Sequence, residues 1–183
     1  MRGDPDQKRQ VVSTFDLFKV GIGPSSSHST GPMIAAGRFV QKLRAQGVFD
    51  QVHRLHIALY GSLALTGRGH GTDTAVLLGL LGKTPDKIDP DAVAGLIAVI
   101  DQTQCVALDG AHQIAFERSR DLSFQGDVFL DHHPNALGFN AFDADATELA
   151  AATYFSIGGG FVVADGEKGD VALANILVED LPY

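Results

Sequence analysis

The chain has 183 residues, 45% of them hydrophobic and 20% charged, with a formal net charge of −8 at pH 7. That length and mix suit one folded domain and exclude disorder over most of the chain. The 14 basic residues are scattered, which excludes a nucleic-acid binder, and no apolar run approaches the roughly 20 residues of a membrane span.

Residues 1–12 read as a flexible leader and 13–183 as the domain proper. The leader has no secretory apolar core, so the cytoplasm is the expected compartment. Val12 to Val20 carries β-branched and aromatic residues and leads into a glycine-punctuated polar string, Gly21 to Gly31. From Met33 the pattern turns helical, with Met33, Ala36, Val40 and Leu43 on one face and Gly47 as the stop. His53 to Tyr60 alternates as a strand does. Gly61 to Thr66 predicts a short helical turn ended by Gly67, which opens a second string, Gly67 to Asp73. Thr72 or Asp73 is then expected to cap a helix through Leu81. Asp89-Pro90 starts a third helix with the stripe Val93, Leu96, Ile97 and Ile100.

Beyond Cys105 the pattern turns to short strands. Ala111 to Glu117 and Ala136 to Phe142 alternate, while Leu122 to Leu130 is broken at Gly126-Asp127. Asp131 to Asn135 reads as a loop because Pro134 blocks regular pairing. Glu148 to Ile157 and Val171 to Val178 are further strands, with turns at Gly158-Gly159-Gly160 and Asp165 to Asp170. Helices first and strands after predict an α+β fold with a mixed sheet.

His70 leads the candidates for chemistry. An imidazole exchanges protons near neutral pH, with an ordinary pKa of about 6.5, and glycine on both sides leaves room for a small molecule. Thr72 and Asp73 stand close enough in sequence to hold an ammonium or hydroxyl group beside it. Ser25, Ser26, Ser27, His28, Ser29 and Thr30 precede a helix, where hydroxyls and free N–H groups suit a carboxylate. The same residues also suit a simple capping loop. No Lys follows the glycine that a phosphate loop would need, which sets nucleotide binding aside. His132, His133 and Asn135 fit a metal site, a substrate contact or a solvated turn. His53, His56 and His112 lie in alternating segments and read as structural. Cys105 is the one cysteine, so an internal disulfide is excluded and no metal site is assigned to the chain. A serine hydrolase is disfavoured, since no Gly-x-Ser-x-Gly elbow occurs.

Four ordered strings point to one family. Phe15-Asp-Leu-Phe-Lys-Val-Gly-Ile-Gly-Pro-Ser-Ser-Ser-His28, Gly61-Ser-Leu-Ala-Leu-Thr-Gly-Arg-Gly-His-Gly-Thr-Asp73, His133-Pro-Asn135 and Tyr154-Phe-Ser-Ile-Gly-Gly-Gly-Phe161 resemble the β domain of bacterial iron–sulfur L-serine dehydratase. The resemblance runs from about Thr14 to Phe161. It implies that L-serine loses its Cα proton to a base and its hydroxyl to a [4Fe-4S] cluster, giving pyruvate and ammonia. It further implies His70 as that base, and Ser25, Ser26, Ser27, His28, Thr72, Asp73, His133 and Asn135 as substrate contacts, with Ser62 a weaker one. In that family the cluster's cysteines belong to a separate α domain, absent from these 183 residues. The isolated chain is therefore expected to be inactive, and the working enzyme to pair it with the α domain or subunit, as a homo-oligomer. The family's β domain is also similar to the allosteric substrate-binding domain of some D-3-phosphoglycerate dehydrogenases. The competing expectation is a regulatory serine-binding module that contributes no catalytic residue.

Overall fold

The computed structural model describes residues 25–167. The leader, the strand expected over Val12 to Val20, the start of the first glycine string and the strand expected over Val171 to Val178 lie outside the described residues. In chain order the elements are α1 (Thr30–Ala45), a 3-10 turn (Phe49–Gln51), β1 (Arg54–Tyr60), α2 (Gly61–His70), α3 (Thr72–Leu80) and α4 (Pro90–Thr103). Then follow β2 (Cys105–Leu108), β3 (His112–Ala115), α5 (Arg118–Asp121), β4 (Leu122–Gln125), β5 (Asn135–Phe142), β6 (Glu148–Gly158) and β7 (Phe161–Ala164).

Among the described residues, five strands form a mixed sheet in the order β4-β1-β5-β6-β7, and β2 and β3 form a separate hairpin. Only the β1–β4 pair is parallel; β1–β5, β5–β6 and β6–β7 are antiparallel. The α+β expectation holds. Alternation along β1 buries Leu55, Ile57 and Leu59, and Ile57 sits opposite Phe139 on β5 and Leu122 on β4. The helix α1 lays Phe39 on Phe139, ring centroids 5.1 Å apart, with Tyr154 edge-on at 5.9 Å. Full burial of such a side chain contributes roughly 1.5–3 kcal/mol. Across α1 lies α3, so close that a Cβ on Gly79 would overlap the Met33 carbonyl. Glycine there is a packing requirement. Among the described residues no helix is long and apolar enough to cross a membrane.

Local chemistry accounts for most element ends. Pro32 falls in the first turn of α1, where its missing N–H has no helical partner to lose, and the helix begins at Thr30, ahead of the expected Met33. Gly47, at φ +69°, closes it as expected. Asp89 Oδ1 accepts the Asp91 N–H at 3.0 Å to start α4, and Val93, Leu96 and Ile97 pack on Met33, Ala75 and Leu78.

Two expectations need correction. The turn expected to stop at Gly67 instead continues as α2 through His70, and Gly71 in the left-handed region ends it. Neither Thr72 nor Asp73 caps α3; Gly71 stands at that N-cap position without a side-chain bond. The short helix α5 and strand β7 were not foreseen. Gly67 stays helical because its bare face packs on Thr72 and Phe124, where a Cβ would come within 3.2 and 3.5 Å.

Candidate active site

The described part of the first polar string, from Ser25, folds as a tight turn leading into α1. The His28 and Ser29 N–H groups both donate to the Ser25 carbonyl, at 3.1 and 3.0 Å, and the Gly31 N–H donates to the Ser26 carbonyl at 2.9 Å. Ser29 Oγ also donates to Ser25 O at 2.7 Å. This turn projects the His28 ring toward α2. Its Nδ1 lies 3.0 Å from Ser27 Oγ and 3.4 Å from Ser25 Oγ, and its Nε2 lies 3.3 Å from Ser62 Oγ.

On α2, Ser62, Thr66 and His70 follow one another at four-residue spacing and share a face. His70 therefore meets His28, with ring centroids 4.9 Å apart and planes tilted by 39°. His70 Nδ1 is 2.9 Å from the Thr66 carbonyl. A carbonyl oxygen only accepts, so Nδ1 carries the hydrogen and the neutral ring keeps its lone pair on Nε2. Gly69 beside it has open space where a Cβ would stand. Burial, and then the nearby His70, hold His28 below the ordinary histidine pKa, against a smaller opposing effect of Ser62.

The third motif reaches the same place from the sheet. Gly61 bridges to Asn135, and the Ser62 N–H donates to the Pro134 carbonyl at 2.9 Å. His133 Nδ1 accepts the Asn135 N–H at 3.1 Å, and burial holds that histidine's pKa down. Asn135 Nδ2 donates to the Ser156 carbonyl at 3.3 Å, while Ser156 Oγ donates to Ser27 O at 2.7 Å. Asn135 Oδ1 and Thr30 Oγ1 are buried with no hydrogen-bond partner. Both atoms thus have bonding capacity that no partner uses among the described residues.

Two predicted contacts point elsewhere. Thr72 is fully buried and its Oγ1 donates to the His28 carbonyl at 2.7 Å. Asp73 accepts from Arg118 Nη1 at 3.0 Å and lines a separate cavity of about 450 Å³ together with Arg68, Asp101 and Glu117. Ser25, Ser27, His28, Ser62, His70, His133 and Asn135 are thus joined, Ser26 contributes its carbonyl to the turn, and Thr72 braces the assembly. Ser156 was missed as a participant. Its signal was the polar residue inside the apolar Tyr154-to-Ile157 run, and Gly31 is needed because any Cβ there would overlap Ser156 Oγ.

Of the histidines read as structural, His112 places Nε2 2.6 Å from the Val52 carbonyl. His132 is largely exposed near Asp165, at 3.6 Å. Among the described residues no three His, Cys, Asp or Glu side chains converge as a metal would require. Cys105 stands in the β2–β3 hairpin. These residues do not fit an iron–sulfur cluster.

The family model for the serine dehydratase beta chain matches residues 13–167. The chain is 42% identical over 160 residues to an L-serine dehydratase of Haemophilus influenzae, covering 87% of this chain and 35% of that protein. It is 43% identical over 159 residues to an L-serine dehydratase of Streptomyces coelicolor, again 87% and 35%. With L-serine dehydratase 1 of Escherichia coli it shares 40% identity over 174 residues, 94% of this chain and 37% of that protein. The chain spans about a third of the length of the curated relatives it matches.

Proposed function

The chain belongs to the serine dehydratase beta-chain family, and from that premise we propose that it is the β part of an L-serine ammonia-lyase, supplying the catalytic base and the substrate contacts. The observation that carries this reading is the His70 tautomer: Thr66 occupies Nδ1, which leaves Nε2 as a free base in a cluster of hydroxyls and amides. Asn135 is turned with its NH2 toward Ser156, so Oδ1 is the free acceptor for the substrate ammonium. Thr30 Oγ1 and the hydroxyls of Ser25 and Ser27 are the donors for the carboxylate.

With the amino acid so held, His70 Nε2 takes the Cα proton. Burial, and then the neighbouring His70, lower the His28 pKa, which disfavours a second positive charge beside the resulting imidazolium. The overall reaction removes water across Cα–Cβ, and the enamine tautomerises to an imine that water hydrolyses to pyruvate and ammonia. Departure of the hydroxyl we assign to a partner α domain or subunit, together with the [4Fe-4S] cluster; no step of it is derived from the residues of this chain.

The test is pyruvate formation from L-serine by the enzyme assembled from this chain and its partner. The wild-type assembly should turn over, and His70→Ala should lower kcat by about 10²- to 10⁴-fold, the usual contribution of a positioned base. No pyruvate from the wild-type assembly would overturn the assignment of activity. A near-normal maximal rate from His70→Ala, with an altered response to serine, would mark a regulatory serine-binding module instead.

A further inference from the structure

The outer rim of this site is apolar. Leu65 is 67% exposed, Phe129 58% and Val128 40%. The three form one patch. Leu65 lies over Gly126, where a Cβ would come within 2.6 Å of its Cδ2, and the Phe129 ring covers Gly61, where a Cβ would come within 3.0 Å. Between them the Val128 carbonyl accepts the Gly61 N–H at 2.9 Å. Along α2, Gly61, Leu65 and Gly69 repeat at four-residue spacing, one step around the helix from the Ser62, Thr66 and His70 face. The patch and the free imidazole therefore lie on adjoining strips of one helix. Val99 on α4 is equally bare at 58% but belongs to neither strip.

Single exposed apolar residues are ordinary, whereas a cluster beside a reacting group marks a surface for another molecule. The size of the relatives indicates what covers it. Each carries roughly two thirds of its length beyond the matched region, and that polypeptide needs a face of this domain to rest on. The function proposed above also assigns departure of the hydroxyl to that polypeptide, which must therefore reach the His70 face. An uncharged trio at the strip of α2 next to the Ser62, Thr66 and His70 face meets both needs.

We propose that Leu65, Val128 and Phe129 are the seat of the polypeptide that forms the rest of the relatives, docked so that its reacting group faces His70 Nε2. This rests on the function proposed above. The experiment places a benzophenone side chain at residue 65, 129 or 99 of this chain in the assembled enzyme, irradiates it, and identifies the linked peptides by mass spectrometry. Positions 65 and 129 should link to the partner polypeptide and position 99 should not. The pair Leu65→Asp with Phe129→Asp should lower pyruvate formation at least tenfold while the melting temperature of this chain alone stays unchanged. Links from 65 and 129 only to a second copy of this chain, no links from either, or full activity of the double variant would each overturn the proposal. An assembly that links as expected yet makes no pyruvate would sink the functional reading and leave the docking surface standing.

Discussion

Thr72 and Asp73 are neighbours in sequence, yet they serve two clusters built on different rules. Ahead of Thr72 lies the group around His28, His70 and Asn135, in which the ring contacts of His28 are long, at 3.0–3.4 Å, and two buried oxygens have no partner. Behind Asp73 lies a group of matched charges. Arg118 divides its two Nη groups between Asp73 and Asp101, both at 3.0 Å, leaving only Nε without a partner. Nearby on α5, the fully buried Asp121 accepts from Arg54 Nε at 3.0 Å, Arg120 Nη2 at 2.6 Å and the Glu117 N–H at 2.9 Å. Burial works to raise the Asp121 pKa, but its bonds to Arg120, the Glu117 N–H and Arg54 outweigh it, and the carboxyl stays below the ordinary range. Apart from Arg118 Nε, the buried polar atoms of the rear cluster are paired. The front cluster has bonding capacity in reserve, which is what a binding site needs and what a scaffold avoids.

The largest effect that separates the two is expected at Asp121. Asp121→Asn keeps the volume and removes the charge, leaving two guanidiniums facing a neutral amide. A loss of about 2–3 kcal/mol in urea-unfolding stability is expected, toward the low end for a buried pair because both arginines are half exposed. The KM for L-serine should not change; if it rises with stability intact, the division into scaffold and site is wrong.

Asn135→Ala should do the reverse. In the proposed function Asn135 Oδ1 accepts from the substrate ammonium, and losing that bond would cost about 1.5–3 kcal/mol, a KM rise of roughly 10- to 100-fold. Steady-state kinetics with an unchanged KM would remove Asn135 from the substrate contacts.

Thr72→Val tests the brace between the clusters. The isostere loses the bond to the His28 carbonyl, so thermal unfolding should report about 1 kcal/mol less stability, while Thr72→Ser should recover most of it. A Thr72→Val chain that melts as the wild type does would show that the bond contributes nothing.

The smallest effect is the pH response. His28 and His133 are both held below the ordinary histidine pKa of 6.5, so below that value the unfolded chain binds protons that the folded chain does not. Their contribution to stability is whole above about 6.5 and is lost as the pH falls toward their folded-state values. Unfolding curves between pH 7 and pH 5 should show this decline, and a His28→Gln, His133→Gln double variant should flatten it. A slope unaltered in that variant would mean that other groups carry the response.

Much of this was legible in the residues themselves. Alternation located β1, β3 and β5, the Asp89-Pro90 pair located the start of α4, and Gly47 located the end of α1, because each signal acts within a few residues of the backbone it shapes. The four ordered strings likewise pointed to one family before any contact was known. Their division of labour was not legible. That α2 runs on through Gly67 depends on Thr72 and Phe124 packing against it. Thr72 supports His28 from 44 positions away, and Ser156 is tied to Ser27 across 129. Local propensity and spacing thus decided which segments become helix or strand and which residue types carry chemistry. Only the packed structure decided which polar atoms spend their bonds on one another and which are left free for a ligand, because that depends on close contacts between segments distant in sequence.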